Sequence, residues 1–260
     1  MQPIAIESLR SSYPSLFASK PAEHVSKDYK FVSTERAIEI LAEANWHPVQ
    51  IKAPKFRTQD RLETGRHCVV FRNFDIEPSR EVGHVFPSIR LLNSHDWSSR
   101  FELLGGLFRM VCSNGLFVAA QASQISIRHD RAFEDISTFV GGMVEFTGRV
   151  MDRVRTWDAI EMAETRTLDF ARRAAALRFG EAADIRVAEQ IARPIRSEDQ
   201  SDTLWNVFNR AQEHLMRGGF RAPNLTRMDR TRRARAITNI EVERKINENL
   251  WNLAEEFAMA

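Results

Sequence analysis

The apolar residues of this 260-residue chain change their spacing near residue 133, and that change limits the fold more than any other feature. Ahead of it, apolar and polar residues alternate in short runs, the period of two that a strand with one buried face requires. Beyond it they recur every three to four residues, the period of an amphipathic helix. The predicted strands cover 67–74 in "RHCVVFRNFD", 84–93 in "GHVFPSIRLLNS" and 124–129 in "QISIRHD". Pro87 argues that its strand lies at an edge or a bulge, because proline cannot donate to a ladder.

From Phe133 a broad stripe of Phe133, Ile136, Val140, Met143, Val144, Val150 and Val154 predicts a long helix. Gly141-Gly142 within it point to close helix packing or a local break. Further helices are predicted over 159–179, 184–192, 199–216 and 237–257. The front half opens with a proline-containing arm, then a helix at "ERAIEILAEAN". The hydroxyls of Ser33 and Thr34 can cap that helix, and Pro48 is expected to end it. The expected class is α+β: a small antiparallel or mixed sheet with packed helices, then an all-helical half. The domain reading is an arm at 1–30, a mixed core at 31–132, and a helical region at 133–260 packed on the core.

Composition excludes some classes. No apolar stretch reaches the ~20 residues that span a bilayer, and the N-terminus lacks the basic and apolar regions of a signal peptide, so a cytoplasmic location is expected. Only Cys68 and Cys112 are present, outside any CxxC pair, which argues against a disulfide framework or a zinc ribbon. The net charge is +2, yet it is unevenly spread. Arg217, Arg221, Arg227, Arg230, Arg232, Arg233 and Arg235 face the single acid Asp229 within a connection, 217–235, that is expected to be a flexible loop. Arginine's rigid fork suits phosphate. Lys52, Lys55, Arg57, Arg61, Arg66 and Arg72 form a second basic zone, interleaved with Phe56, Phe71 and Phe74 as a base-stacking surface would require.

The stretch "RMVCSNGLFV" (109–118) leaves two alternatives open: a short helix over 106–113 stopped by Gly115, or a hairpin turning at Asn114-Gly115. Neither accounts for Arg109, which reads as an exposed arginine, as a partner of an acid such as Asp96 or Glu102, or as a group reaching an outside anion. Cys112 reads as a small buried hydrophobe. His67, His84, His95 and His129 with Asp96 could converge as metal ligands, but their spacing matches no ligand motif, and no metal or other cofactor is expected. Gly105-Gly106 is too little for a phosphate loop.

Several stretches resemble one family across nearly the whole chain: "VSKDYKFVSTERAIEIL" (25–41), "RHCVVFR" (66–72), "PSIRLLNSHDWSSRFELLGGLFRMVCSNGLFV" (87–118), Arg128-His129, "TLWNVFNRAQEHLMRGG" and "INENLWNLAEEF". They are similar to phage- and plasmid-borne proteins containing the domain of unknown function 932. That family usually has glycine where Trp97 stands. The resemblance implies a protein of phages, prophages or plasmids without an assigned activity. It also implies one polar cluster of the motif residues His67, Asn93, Ser94, His95, Asp96, Arg109, Cys112, Asn114, Gly115, Arg128 and His129.

The expected function is a nucleic-acid-binding accessory protein, with single-stranded DNA binding or annealing as its finer form. The seven connection arginines with Lys52, Lys55, Arg57 and Arg109 would meet phosphate. The alternatives are an inhibitor of a host defence complex of anti-CRISPR or anti-restriction type, and a metal-dependent enzyme on His67, His95, Asp96 and His129. Assembly into a homo-oligomer through the 237–257 helix, with Leu250, Trp251 and Phe257, is a further expectation. Those three side chains could equally close the core.

Overall fold

Ser33 accepts a hydrogen bond from the Arg36 amide and so starts α2 (Thr34–Glu43), whose Ala37, Ile38 and Leu41 are fully buried. Asn45, at a left-handed φ of 60°, turns the chain after the helix. Pro48 is therefore not the terminator: it lies inside β1 (Trp46–Lys52), where the register slips between Pro48 and Gln50. A bulge at an edge strand is where a residue without an N–H is tolerated.

In a computed structural model of the chain, residues 2–54, 58–76, 85–109, 115–117, 124–126, 132–223 and 231–260 are described, except for the side chains of 108–109, 115–117, 124–126, 132 and 182. Two compact units emerge. One comprises 1–79, 84–110 and 120–148; the other comprises 80–83, 111–119 and 149–260.

The first unit holds an antiparallel sheet in the order β1, β2 (His67–Asn73), β3 (Val85–Asn93), β4 (Glu102–Arg109), with the short β6 (Gln124–Ser126) also paired to β4. Pro87 lies in the central strand β3, contrary to the edge expectation, but one residue past the last β2 pair, Arg72 with Ser88. On the β2 side β3 is locally an edge there, and edges are where proline is tolerated in a sheet. Every residue of β3 is buried. Residues 106–109 continue β4 and are not helical, which removes the helical alternative for that part of the stretch. β4 pairs with β3 from Glu102 to Arg109, and at Gly105 a side chain would meet Phe146 at 2.9 Å and Met143 at 3.2 Å. Gly105 thus serves close sheet-to-helix approach rather than phosphate binding.

The N-terminal segment carries α1 (Ile6–Ser12) and a 3₁₀ turn at Pro14–Phe17, and it is tied down by Ile4 N–H to the Pro48 carbonyl. A short helix unforeseen in the sequence, α3 (Gln59–Thr64), precedes β2. α4 (Ala132–Asp158) is unbroken through Gly141-Gly142, both of them exposed with open space beside them, so they serve neither packing nor a break. Phe133 and Val144 are likewise exposed, whereas Ile136, Met143, Val150 and Val154 are buried.

The second unit is built on α5 (Glu164–Phe179), α6 (Ile185–Ala192), α7 (Leu204–Arg217) and α8 (Ile240–Met259). Its centre is aromatic: Trp157 lies 4.3 Å from Trp251, centroid to centroid, and 5.5 Å from Phe208, which stacks on Trp205 at 8°. Leu250, Trp251 and Phe257 are buried in this unit, so they close its core and are not a free oligomer surface. One departure from an all-helical second half is an antiparallel hairpin of β7 (Arg221–Pro223) and β8 (Thr231–Arg233) in the place of the expected loop. The remaining short strand is β5 (Gly115–Phe117).

Candidate functional site

His67 and Asn93 face each other across β2 and β3, and the turn after β3 brings Ser94, His95 and Asp96 to the same end of the sheet. Thr34, at the first turn of α2, is the hub. Its Oγ1 lies 2.8 Å from His67 Nε2, 3.4 Å from His95 Nε2, and accepts from Asn93 Nδ2 at 2.9 Å. His67 Nδ1 donates to the Gly65 carbonyl at 3.0 Å, which leaves Nε2 as an acceptor for the single Thr34 hydroxyl proton. His95 Nε2 is then the donor to Thr34. Its own Nδ1 makes no hydrogen bond, although the Ser15 carbonyl is near enough to oppose the fall in its pKa.

Asn93 completes the network by donating to the Val32 carbonyl at 3.0 Å and accepting from the Ser94 amide at 2.8 Å. The main chain of His95 is held by the Thr64 carbonyl and the Ala22 amide, and Tyr29 Oη donates to the Ser94 carbonyl. Burial holds His67 neutral, with a pKa lowered to about 3, and the nearby His95 adds to the effect. Burial likewise lowers His95 to about 4, while the Ser15 carbonyl and Asp96 oppose it.

A hydroxyl bonded to an imidazole is the beginning of a nucleophile–base pair. Here Thr34, His67, Asn93 and His95 are wholly inside the core, so no substrate reaches the oxygen, and both ring nitrogens of His67 are engaged. The arrangement pins α2 and the N-terminal segment to one end of the sheet. Among the described residues no three of His, Cys, Asp and Glu gather as metal ligands; His84 and His129 lie outside them. The backbone of Arg109 is opposite Val85, at the far end of β3 from Asn93. Eight residues of strand, ~27 Å, therefore separate it from the turn holding Asp96, too far for an ion pair. Asp96 instead caps the turn by accepting from the Ser98 amide. The Arg109 side chain and Cys112, Asn114, Arg128 and His129 lie outside the described residues.

Trp97 sits at φ 63°, the left-handed region that costs a residue bearing Cβ ~1–2 kcal/mol, which explains the glycine usual there in the resembling family. It is 63% exposed and tilts against Tyr29 at 6.3 Å. Trp97→Gly is expected to stabilise the protein by about 0.5 kcal/mol, because strain relief outweighs the added freedom of the unfolded chain. Urea unfolding measures this, and a loss of stability would show that the Tyr29 contact outweighs the strain.

In the second unit Asn206, Asn209, Arg210, Gln212 and Glu213 of "TLWNVFNRAQEHLMRGG" are also internal. Glu213 takes a bidentate pair of bonds from Arg196, both at 2.7 Å, and one from Arg217 at 2.6 Å. Despite the burial that opposes it, this pairing lowers its pKa. Gln212 bonds Asn247 at 3.1 Å, and Arg210 holds the α6–α7 loop.

The hairpin differs in that its cations face outward. Gly218, at φ 64°, ends α7 where a Cβ would lie 2.5 Å from the Ala234 carbonyl; only glycine allows the chain to turn there into β7. The register sets Arg221 opposite Arg233 and Ala222 opposite Arg232. Ala222 and Ala234 are buried, whereas Arg221, Arg232, Arg233 and Arg235 are exposed. Arg233 Nε donates to the Gly219 carbonyl and Arg221 reaches Thr231 at 3.4 Å. Half-buried Arg178 donates to the Leu215 and Arg235 carbonyls, and its pKa is lowered by burial and then by Arg232. Among the described residues no carboxylate pairs with Arg221, Arg232, Arg233 or Arg235, whereas Arg217 is taken by Glu213. Arg227, Asp229 and Arg230 lie outside the described residues.

The basic zone of the first unit is largely used internally. Arg72 lies over the rings of Phe74 at 4.8 Å and Phe86 at 4.5 Å, Arg66 Nε is buried, and Lys52 has a partner. Phe71 is a core residue, not a stacking platform. Arg61 is exposed; Lys55, Phe56 and Arg57 lie outside the described residues.

Comparison with known proteins gives a match of residues 21–251 to the family model "Domain of unknown function (DUF932)". Two similar proteins are UPF0380 protein YafZ and UPF0380 protein YfjQ of Escherichia coli (strain K12). Each is 29% identical over 257 residues, covering 98% of this chain and 91% of the relative. No solved structure matches the chain significantly. Among the described residues no helix is long and apolar enough to cross a membrane.

Proposed function

The chain belongs to the DUF932 family, and we propose that it is a nucleic-acid-binding accessory protein of a phage, prophage or plasmid that holds phosphate with its second-unit hairpin. One observation carries this reading: Arg221 and Arg233 stand directly opposite each other on one face of the ribbon, with Arg232 on its other face, all three exposed and without a carboxylate partner among the described residues. Like charges opposed across strands cost a few tenths of a kcal/mol up to about 1 kcal/mol, and an anion between them removes that cost. Four further arginines of the chain, Arg178, Arg196, Arg210 and Arg217, are committed to protein acceptors, so leaving these without acids is not a general habit of the unit.

The test is oligonucleotide binding by the full chain at several salt concentrations. Affinity is expected to fall steeply with salt, and Arg232→Ala with Arg233→Ala to weaken binding about tenfold and lower the log–log salt slope by about 2. Binding that is absent or insensitive to salt rejects the proposal.

A further inference from the structure

From the form of the hairpin we infer that its partner is a nucleic-acid duplex, not the single strand expected from composition; the inference rests on the nucleic-acid reading above. Two features separate these substrates. The first is the arrangement of the cations. An antiparallel ribbon carries them on both strands and both faces: Arg221 on β7 and Arg233 on β8 stand opposite each other on one face, Arg232 is on the other, and Arg235 lies just beyond the strand. A duplex offers two rows of phosphates flanking a groove, and the major groove, about 12 Å wide, admits a two-stranded ribbon. A lone strand offers one row.

The second feature is the lack of stacking rings. Binding a single strand draws about 1–3 kcal/mol per base from aromatic side chains. Phe220, at the base of the hairpin, is packed edge-on against Phe179 and His214. Trp157, Phe170, Trp205, Phe208, Trp251 and Phe257 are buried as well. Among the described residues of this unit, no ring is offered to a base. In the other unit Trp97 and Phe133 are exposed, one on a turn and one on α4, and they make no run of rings for successive bases. Cations on both strands and both faces of a ribbon, without rings, are suited to a phosphate backbone whose bases are already stacked on one another.

The experiment compares the full chain on a labelled DNA strand of about two helical turns (about 20 nucleotides), on that strand annealed to its complement, and on an RNA duplex of the same sequence, between about 50 and 200 mM salt. The DNA duplex is expected to bind about tenfold more tightly than the strand. Arg221→Gln with Arg233→Gln should lose about tenfold on the duplex and flatten the salt slope by about 2, with an unchanged circular dichroism spectrum and a melting midpoint no lower than the parent's. Equal binding of the two duplexes supports contact through phosphates alone, and a preference between them identifies the duplex. A single strand bound as tightly as the duplex overturns the inference and leaves the nucleic-acid reading standing. No binding to any of the three overturns both. A duplex preference that the double variant leaves intact removes the hairpin as its source.

Discussion

Arg210→Met is expected to destabilise the second unit by about 3–5 kcal/mol, the scale of a buried charged hub that leaves its acceptors unpaired. Arg210 is 4% exposed, and its guanidinium reaches five acceptors. Nε donates to the Asp199 carbonyl at 2.7 Å. Nη1 donates to the Ala192 carbonyl at 3.3 Å and to the Asp202 carboxylate at 3.0 Å. Nη2 donates to the Gln200 and Ser201 carbonyls, both at 2.9 Å. Four of these are main-chain carbonyls, one at the C-terminal end of α6 and three in the loop between α6 and α7. Methionine fills much of the volume but supplies no donor. Trp157, Trp205 and Trp251 all lie in this unit, so tryptophan fluorescence during urea unfolding reports the change. Arg210→Lys should recover less than half of the loss, because one ammonium cannot reproduce the fork. A cost below about 1 kcal/mol would mean that the loop is held by its other contacts.

Acidification should destabilise the first unit well above the range where carboxylates titrate. His67 and His95 have folded pKa values of about 3 and about 4, against an ordinary value of 6.5. Between those values the unfolded chain binds protons that the folded chain refuses, so stability is complete above pH 6.5 and declines as the pH falls below it. The decline continues to about pH 4 for His95 and about pH 3 for His67. Each histidine contributes a slope of up to ~1.4 kcal/mol per pH unit. Urea melts at pH 7, 5.5 and 4.5 should therefore lose about 5 kcal/mol in all, with His67→Leu halving the slope. Working above pH 4.5 avoids Glu213 and Asp184, whose lowered pKa values make them contribute only at still lower pH. His214, also lowered by burial, adds in the same direction within the second unit. A His67→Leu slope equal to the parent's would assign the acid sensitivity to other groups.

The part of the candidate site that was readable in the sequence is the part made by near neighbours. Ser33 as a cap, the strands at His67–Asn73 and Val85–Asn93, and the run Asn93-Ser94-His95-Asp96 as a strand exit all follow from local chemistry. Thr34 as the hub of two histidines and an asparagine did not, because its partners are 33, 59 and 61 residues away along the chain. Its hydroxyl could be read only as a second capping candidate. Arg210 was hidden for the same reason, since an arginine on an amphipathic helix looks solvent-facing until a loop folds over it. β4 was ambiguous because "LLGGLFR" has too few polar residues to show a period, and the sheet decided by offering β3 as a partner.

Taken alone, the order of residues determined the change from strand to helix near 133, the α+β class, the family and the concentration of arginine at 217–235. The family follows from the likeness of its motifs and the others from composition or spacing, all of which a linear chain displays without folding. The tertiary structure alone decided that the motif residues His67, Asn93, His95, Gln212 and Glu213 turn inward, each to partners within its own unit. It also decided that the arginine-rich connection is a ribbon with Arg221 set against Arg233. Whether a polar group is used up inside or left facing solvent depends on which distant donors and acceptors arrive beside it, and only the folded chain fixes that.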